Sequence, residues 1–172
     1  MDEVASFVYK ILMNSFYGAK GRRVIYGDTD SLFVLAEPEA GPEIRTLVEE
    51  ELARYLSGRW RIVPRFHLVF EKVYERFFLP PLRGEEAGAK GRAKNYAGLV
   101  ARPAGSRGPE TQEQYSSRIE VKGMEAVRRD WTDLAHEFQL RLLELLFRGE
   151  PLSAFRSLIA ETVKALARGE LD

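Results

Sequence analysis

Two carboxylates separated by a single residue, Asp28 and Asp30, are the residues of this chain best suited to chemistry. They sit in the segment Arg22–Ala36, RRVIYGDTDSLFVLA, where two apolar, β-rich runs flank a Gly-Asp-Thr-Asp turn. That pattern predicts a β-hairpin. In extended backbone, residues i and i+2 point to the same face, so both carboxylates can project together at a sheet edge. Two hard oxygen donors held so closely repel each other unless a cation lies between or beside them. Magnesium accepts one or two carboxylates and completes its shell with water and substrate phosphate, which such a turn could offer. In two-metal phosphoryl transfer, ions about 3.5–4 Å apart activate the attacking oxygen and stabilise the leaving one. The plainer alternative is that Asp28 is an ordinary turn residue and Asp30 caps a bend.

Charge around this turn is segregated. The 172 residues carry 26 basic and 26 acidic side chains, so the overall balance favours no class of partner. From Lys10 to Ile25, however, there are four basic residues and no acidic one, and from Arg76 to Arg129 eleven Lys and Arg stand against six Glu. Acidic excesses lie in Glu37–Glu75, eight against six, and in Asp130–Asp172, eight against five. Such blocks can be merely solvated faces. Two basic stretches around a compact acidic site would also suit a polyphosphate ligand. The chain has no cysteine, which excludes disulfides, thiolate nucleophiles and cysteine-ligated zinc. No apolar run approaches the roughly 18 residues needed to span a bilayer, and Met1–Lys10 lacks the order of a signal peptide. A cytoplasmic protein with no membrane partner is expected.

The elements that must position the hairpin follow from periodicity. Val4, Phe7, Val8, Ile11 and Leu12 recur at helical spacing and predict an opening amphipathic helix that stops near Gly18. Ile44, Leu47, Val48, Leu52, Tyr55 and Leu56 predict a second helix, ended near Gly58. Phe66–Val73 and Arg76–Leu82 look like closely joined strands, with Pro80 and Pro81 at their end. Polar loops at residues 83–93 and Pro103–Gln114 flank a short strand within Asn95–Ala101. From Asp130, the residues Trp131, Leu134, Phe138, Leu142, Leu145 and Leu146 predict a long helix capped by Asp130 or Thr132. Gly149 and Pro151 break it, and Leu152, Phe155, Leu158, Ile159, Val163 and Leu166 form a last helix with Gly169 as C-cap. The expected fold is α+β through about residue 125, followed by a helical hairpin.

Longer motifs narrow the chemistry. Lys10-Ile11-Leu12-Met13-Asn14-Ser15-Phe16-Tyr17-Gly18 and Tyr26-Gly27-Asp28-Thr29-Asp30-Ser31 resemble two signature motifs of family B DNA polymerases, the fingers motif K-x-x-x-N-S-x-Y-G and the palm motif Y-G-D-T-D-S. In family order there follow Phe70-Glu71-Lys72-Val73-Tyr74, similar to the palm segment F-E-K-V-Y, and Lys94-Asn95-Tyr96-Ala97-Gly98, similar to K-x-Y-A-G near the palm–thumb junction. Lys122-Gly123-Met124-Glu125 and Val127-Arg128-Arg129-Asp130-Trp131 resemble the start of the thumb. The resemblance implies an antiparallel palm-like sheet with packed helices and a remnant fingers helix over residues 1–125, and a small helical thumb-like lobe over 126–172. It implies that Lys10 faces the triphosphate of an incoming deoxynucleotide, that Asn14 and Tyr17 line the nascent base pair, and that Asp28 and Asp30 are the catalytic, metal-binding pair. Lys94 and Tyr96 would hold the primer–template DNA backbone, with Arg128 and Arg129 near the thumb base and Glu71 as an outer acidic residue. Each role has a plainer rival: a solvated helix face for Lys10, a core position for Tyr17, a structural salt bridge for the two arginines.

The chain also departs from the family pattern. It contains no D-x-x-S-L-Y-P-S segment, whose aspartate is the third acidic group, and no exonuclease region. Only seven residues separate Gly18 from Tyr26, where the family has a long segment. This looks like truncation with an internal deletion. Seven residues span at most roughly 23–25 Å, so the fingers helix must lie near the hairpin or be repositioned. Two aspartates alone cannot fix the octahedral geometry magnesium demands, so Mg2+ would be held weakly if at all. The expectation is a polymerase-like module that binds DNA, nucleotide or both, without template-directed nucleotidyl transfer in isolation. Alternatives are a polymerase subunit completed in trans by a partner chain that supplies the missing aspartate, and a repacked, non-catalytic interaction or homo-oligomerisation protein.

Overall fold

Val24, Ile25 and Tyr26 on one side of the Asp-Thr-Asp turn, and Leu32–Leu35 on the other, are the branched, aromatic and aliphatic types that fit a pleated surface. In the computed structural model of the chain they form strands β1 (Arg23–Gly27) and β2 (Leu32–Leu35), paired antiparallel as the sequence predicts. The structure describes residues 22–27, 31–61, 63, 65, 67–80, 94–102 and 109–171. The predicted opening helix therefore lies outside the described residues. Chain contacts divide the molecule into Met1–Val73 and Tyr74–Asp172.

In the first unit the ladder pairs Val24 with Val34, then Tyr26 with Phe33, leaving Ile25 as a bulge. Val34 and Phe33 face opposite sides of β2, so the bulge turns Val24 and Tyr26 to opposite sides too. Val24 is buried with Val48 among Leu32, Val34, Ile44 and Leu68, while Tyr26 meets the Phe33 ring on the other side with centroids 5.3 Å apart. Helix α1 (Gly41–Trp60) supplies Val48 to this core. It runs through Gly58, the expected stop, and ends at Arg61, whose φ of 54° is left-handed. The strand expected within Phe66–Val73 is absent from the described residues 67–73, which are irregular. Their groups are taken by α1 instead: Leu68 N–H donates to Glu49 Oε1 at 2.7 Å, and the Phe70 ring occupies the space beside Gly41 that a Cβ would fill.

The second unit is built on β3 (Tyr74–Phe78), β4 (Tyr96–Val100) and β5 (Ile119–Lys122), antiparallel in the order β3-β4-β5. Its core gathers Ala97 and Leu99 from β4 with Tyr115, Met124, Leu143 and Phe147. Helix α2 (Gln112–Ser117) stands where the sequence suggested only a loop, opened by a capping box between Thr111 and Gln114. Helix α3 (Asp133–Arg148) starts at Thr132, whose hydroxyl accepts from Ala135 N–H at 3.3 Å, and ends at Gly149 with φ 73°. Of the expected caps, Thr132 is therefore the one used. Helix α4 (Leu152–Ala167) follows, with Leu158 buried. The buried face of α3 is Leu143 and Phe147, whereas Trp131 and Leu146 are exposed, as are Leu152, Ile159, Val163 and Leu166 along α4. Among the described residues no helix is long and apolar enough to cross a membrane. The class is α+β, as expected.

Candidate nucleic-acid interface

The best-defined cationic site lies where β4 begins and β5 ends. Tyr96 pairs with Lys122 in the antiparallel register, so Lys94 and Tyr96 meet Lys122 and Gly123 at one end of the sheet. Lys94 has a φ of 62°, a left-handed conformation that costs a non-glycine residue on the order of 1 kcal/mol or more. Gly123, φ 64°, lies so close that a Cβ there would overlap the Lys94 carbonyl oxygen. Only glycine satisfies both conditions. The tight approach fixes the backbone that carries Lys94, and chain order delivers Arg128 and Arg129 from this same end of β5, after the turn Glu125–Val127. Lys122 is exposed and makes no ion pair among the described residues. Sequence reading did not single it out, although its motif was visible; the register across from Tyr96 is what adds it to the site.

One face of this sheet is aromatic. Opposed residues share a face, so Phe77 opposite Gly98, and Gly98 opposite Glu120, lie together with Tyr96 and Lys122. Tyr74, opposite Val100, is on that face as well. The rings of Tyr74 and Phe77 are 5.6 Å apart and those of Phe77 and Tyr96 5.3 Å apart, both tilted. The reverse face, with Ala97 and Leu99, is the one that joins the core with Tyr115 of α2 and with Leu143 and Phe147 of α3.

The arginines divide. Arg128 closes on Asp130 in a two-pronged ion pair, Nε to Oδ1 at 3.0 Å and Nη2 to Oδ2 at 2.6 Å. These bonds hold the Asp130 carboxyl below its ordinary value. The Arg128 carbonyl oxygen lies 2.6 Å from His136 Nε2, which ties this segment to α3. The salt-bridge alternative weighed for the two arginines thus describes Arg128. Arg129 is exposed and has no ion pair among the described residues.

Of the nine site residues expected from sequence, Lys94 and Tyr96 stand at the β4–β5 end of the second unit, and Arg128 and Arg129 follow β5 in the chain. The other five, Lys10, Asn14, Tyr17, Asp28 and Asp30, lie outside the described residues. What is described of the acidic hairpin is its frame: the β1–β2 ladder reaches Gly27 opposite Leu32 at either side of the Asp-Thr-Asp sequence. Among the described residues no group of three or more His, Cys, Asp or Glu is placed to hold a metal ion. Glu71 is exposed in the irregular segment before β3.

Comparison with known proteins agrees with the motifs. A profile for DNA polymerase family B matches residues 19–170. DNA polymerase II of Escherichia coli (strain K12) is 35% identical over 161 residues, covering 90% of this chain and 18% of that protein. DNA polymerase 2 of Aeropyrum pernix is 31% identical over 155 residues, covering 90% of this chain and 15% of that protein. The catalytic subunit of DNA polymerase zeta from Schizosaccharomyces pombe is 34% identical over 134 residues, covering 78% of this chain and 8% of that protein. The chain spans less than a fifth of the length of each of these relatives.

Proposed function

The chain belongs to DNA polymerase family B, and from that premise we propose that it serves as a palm and thumb-base region gripping primer–template DNA at the β4–β5 end of its three-stranded sheet. The observation that carries this reading is the convergence of Lys94, Tyr96 and Lys122 on one sheet end, with exposed Arg129 following in the chain. Lysine ammonium groups meet phosphate oxygens as point charges, and the tyrosine supplies a ring and a hydroxyl to the sugar–phosphate backbone. Such contacts fix register without reading sequence.

Asp28 and Asp30 would hold the divalent metal in this reading. Their carboxylates suit magnesium in kind, being hard oxygen donors at the end of a two-stranded hairpin, but two donors leave most of an octahedral shell to other groups. When bound, magnesium supplies positive charge at the attacking and leaving oxygens of phosphoryl transfer. Lys10 would bind the triphosphate of a deoxynucleotide, and Asn14 and Tyr17 would line the base pair. The 172 residues contain no third carboxylate motif of the family kind, so the third donor must come from another segment or another chain. In this reading the 172-residue chain tested alone binds DNA without extending it.

The test is a titration of magnesium or manganese into the 172-residue chain with primer–template and deoxynucleotide present, following binding and extension together. Binding should fall with salt at a log–log slope of about −2 to −4, for two to four neutralised phosphates, and no primer should lengthen. Failure to bind the duplex at low salt would remove the proposal. Extension that is abolished by Asp30→Ala would overturn the statement that the chain cannot catalyse alone.

A further inference from the structure

Tyr74 is on the aromatic face only because β3 is irregular. In an unbroken strand Tyr74, Arg76 and Phe78 would share one face, yet the register moves between Tyr74 and Arg76, so that Arg76 stands opposite Leu99 and Phe77 opposite Gly98. The extra residue is Glu75. Its carboxylate accepts from Arg118 Nη1 at 3.0 Å and from Arg102 N–H at 3.2 Å, which pins the bulge to both neighbouring stretches of chain. Tyr74 then lies across β4, where its ring fills the space a Cβ on Gly98 would need. Its hydroxyl donates to Glu120 Oε2 on β5 at 2.7 Å. One tyrosine thus bridges all three strands.

We propose that this Tyr74–Gly98–Glu120 stack is a positioning device for nucleic-acid binding: it holds Tyr74 flat so that Tyr74, Phe77 and Tyr96 form one rigid ledge against which the deoxyribose edge of a duplex rests while Lys94 and Lys122 meet its phosphates. The proposal rests on the DNA-binding reading above and extends it to residues that touch no phosphate. A half-buried carboxylate such as Glu120 on a DNA-facing surface would otherwise only repel the ligand. Here the same carboxylate is the acceptor of a short, charge-assisted bond whose donor is oriented by the glycine beneath it. The ledge costs no ordering on binding, because bulge, glycine and hydrogen bond have already removed the rotamer freedom of Tyr74.

The test uses the full chain and a fluorescein-labelled primer–template duplex, with anisotropy read at several salt concentrations. Glu120→Gln and Glu120→Ala carry the same charge, so the difference between them reads the acceptor and its side-chain stem with the charge held constant, and Tyr74→Phe removes the hydrogen bond alone. The alanine variant should bind about fivefold more weakly than the glutamine variant. Tyr74→Phe should bind about fivefold more weakly than the unaltered chain, with an unchanged salt slope, whereas Lys94→Ala should make the slope shallower by about one. Melting curves run alongside separate folding from binding. Equal affinities of the two Glu120 variants, or a Tyr74→Phe chain that melts lower yet binds as tightly when folded, overturn the stack as a positioning device while leaving the DNA-binding reading in place. Absence of duplex binding by the unaltered chain overturns both.

Discussion

Asp130 decides how much of the positive charge near the sheet end is available. Its two bonds to Arg128 occupy the guanidinium fork, and they are the leading reason its carboxyl is held below the ordinary value of 3.8. For a carboxylate with a depressed folded-state value, the contribution to stability is complete above the ordinary value and is lost as pH falls through the depressed one. The pair is therefore complete above the ordinary carboxylate range and loosens only as pH falls through the lowered value. Substitution releases Arg128. Asp130→Asn should raise affinity for a primer–template duplex by about three- to tenfold and steepen the salt slope by about one, as one more cation becomes free to displace a counterion. Unchanged affinity and slope in the same anisotropy titration would show that Arg128 does not reach the DNA. The backbone that carries Lys94 is clamped by Gly123.

At the scale of elements, helix α2 shows how local chemistry holds a site's scaffold. Thr111 N–H donates to Gln114 Oε1 at 3.0 Å, and Gln114 N–H donates to Thr111 Oγ1 at 3.2 Å. Six residues are too few to stay helical on propensity alone, so the cap and tertiary contacts must supply the rest. Gln112 donates to Glu144 at 2.6 Å and accepts from Arg148 at 2.8 Å, and Arg148 lies over the Tyr115 ring at 3.9 Å. Burial raises the Tyr115 hydroxyl above its usual range, so that side chain stays neutral and packs as a core ring. Thr111→Ala should lower unfolding stability in urea by about 1 kcal/mol; a change of only a few tenths would mean that α3 carries the helix without its cap. The Thr-x-x-Gln signature was present in the sequence, but the surrounding Pro, Gly and Ser masked a helix of less than two turns. The β1–β2 hairpin, β4 and helices α1, α3 and α4 were legible because each has a turn, a glycine stop or a long apolar period. The faces of α3 and α4 were not. Both helices are apolar on more than one side, so period alone could not choose Leu143 and Phe147 over Trp131 and Leu146. The bulges at Ile25 and Glu75 were equally hidden, because a one-residue register shift leaves no compositional mark. They matter for the site, since the second one puts Tyr74 beside Phe77. The Asp-Thr-Asp and Lys-x-Tyr motifs were plain from residue type and spacing, whereas Lys122 needed the register to join them.

For the molecule as a whole, the two contact units carry separate cores with no residue in common: Val24 and Val48 in Met1–Val73, and Ala97, Leu99, Tyr115, Met124, Leu143 and Phe147 in Tyr74–Asp172. Among the described residues the first is the smaller. Val24, Val48 and Leu52 are the buried side chains described there, and at roughly 1.5–3 kcal/mol for each fully buried aliphatic side chain they contribute several kcal/mol. The second is larger, with two aromatic rings, and it underlies the sheet that bears Lys94 and Tyr96. Stability should therefore be uneven, with local opening cheapest where the core is thinnest. Phe147→Ala removes a ring from the larger core and should cost about 3–5 kcal/mol there, accelerating amide exchange in β4 and β5 while sparing α1. Val48→Ala should do the reverse, speeding exchange in β1, β2 and α1 and leaving duplex affinity at the β4–β5 end within about twofold. Native-state hydrogen exchange on both variants checks this. If either substitution accelerates exchange equally across all elements, the cores unfold as one cooperative body, and the three-stranded sheet then depends for its stability on the β1–β2 hairpin.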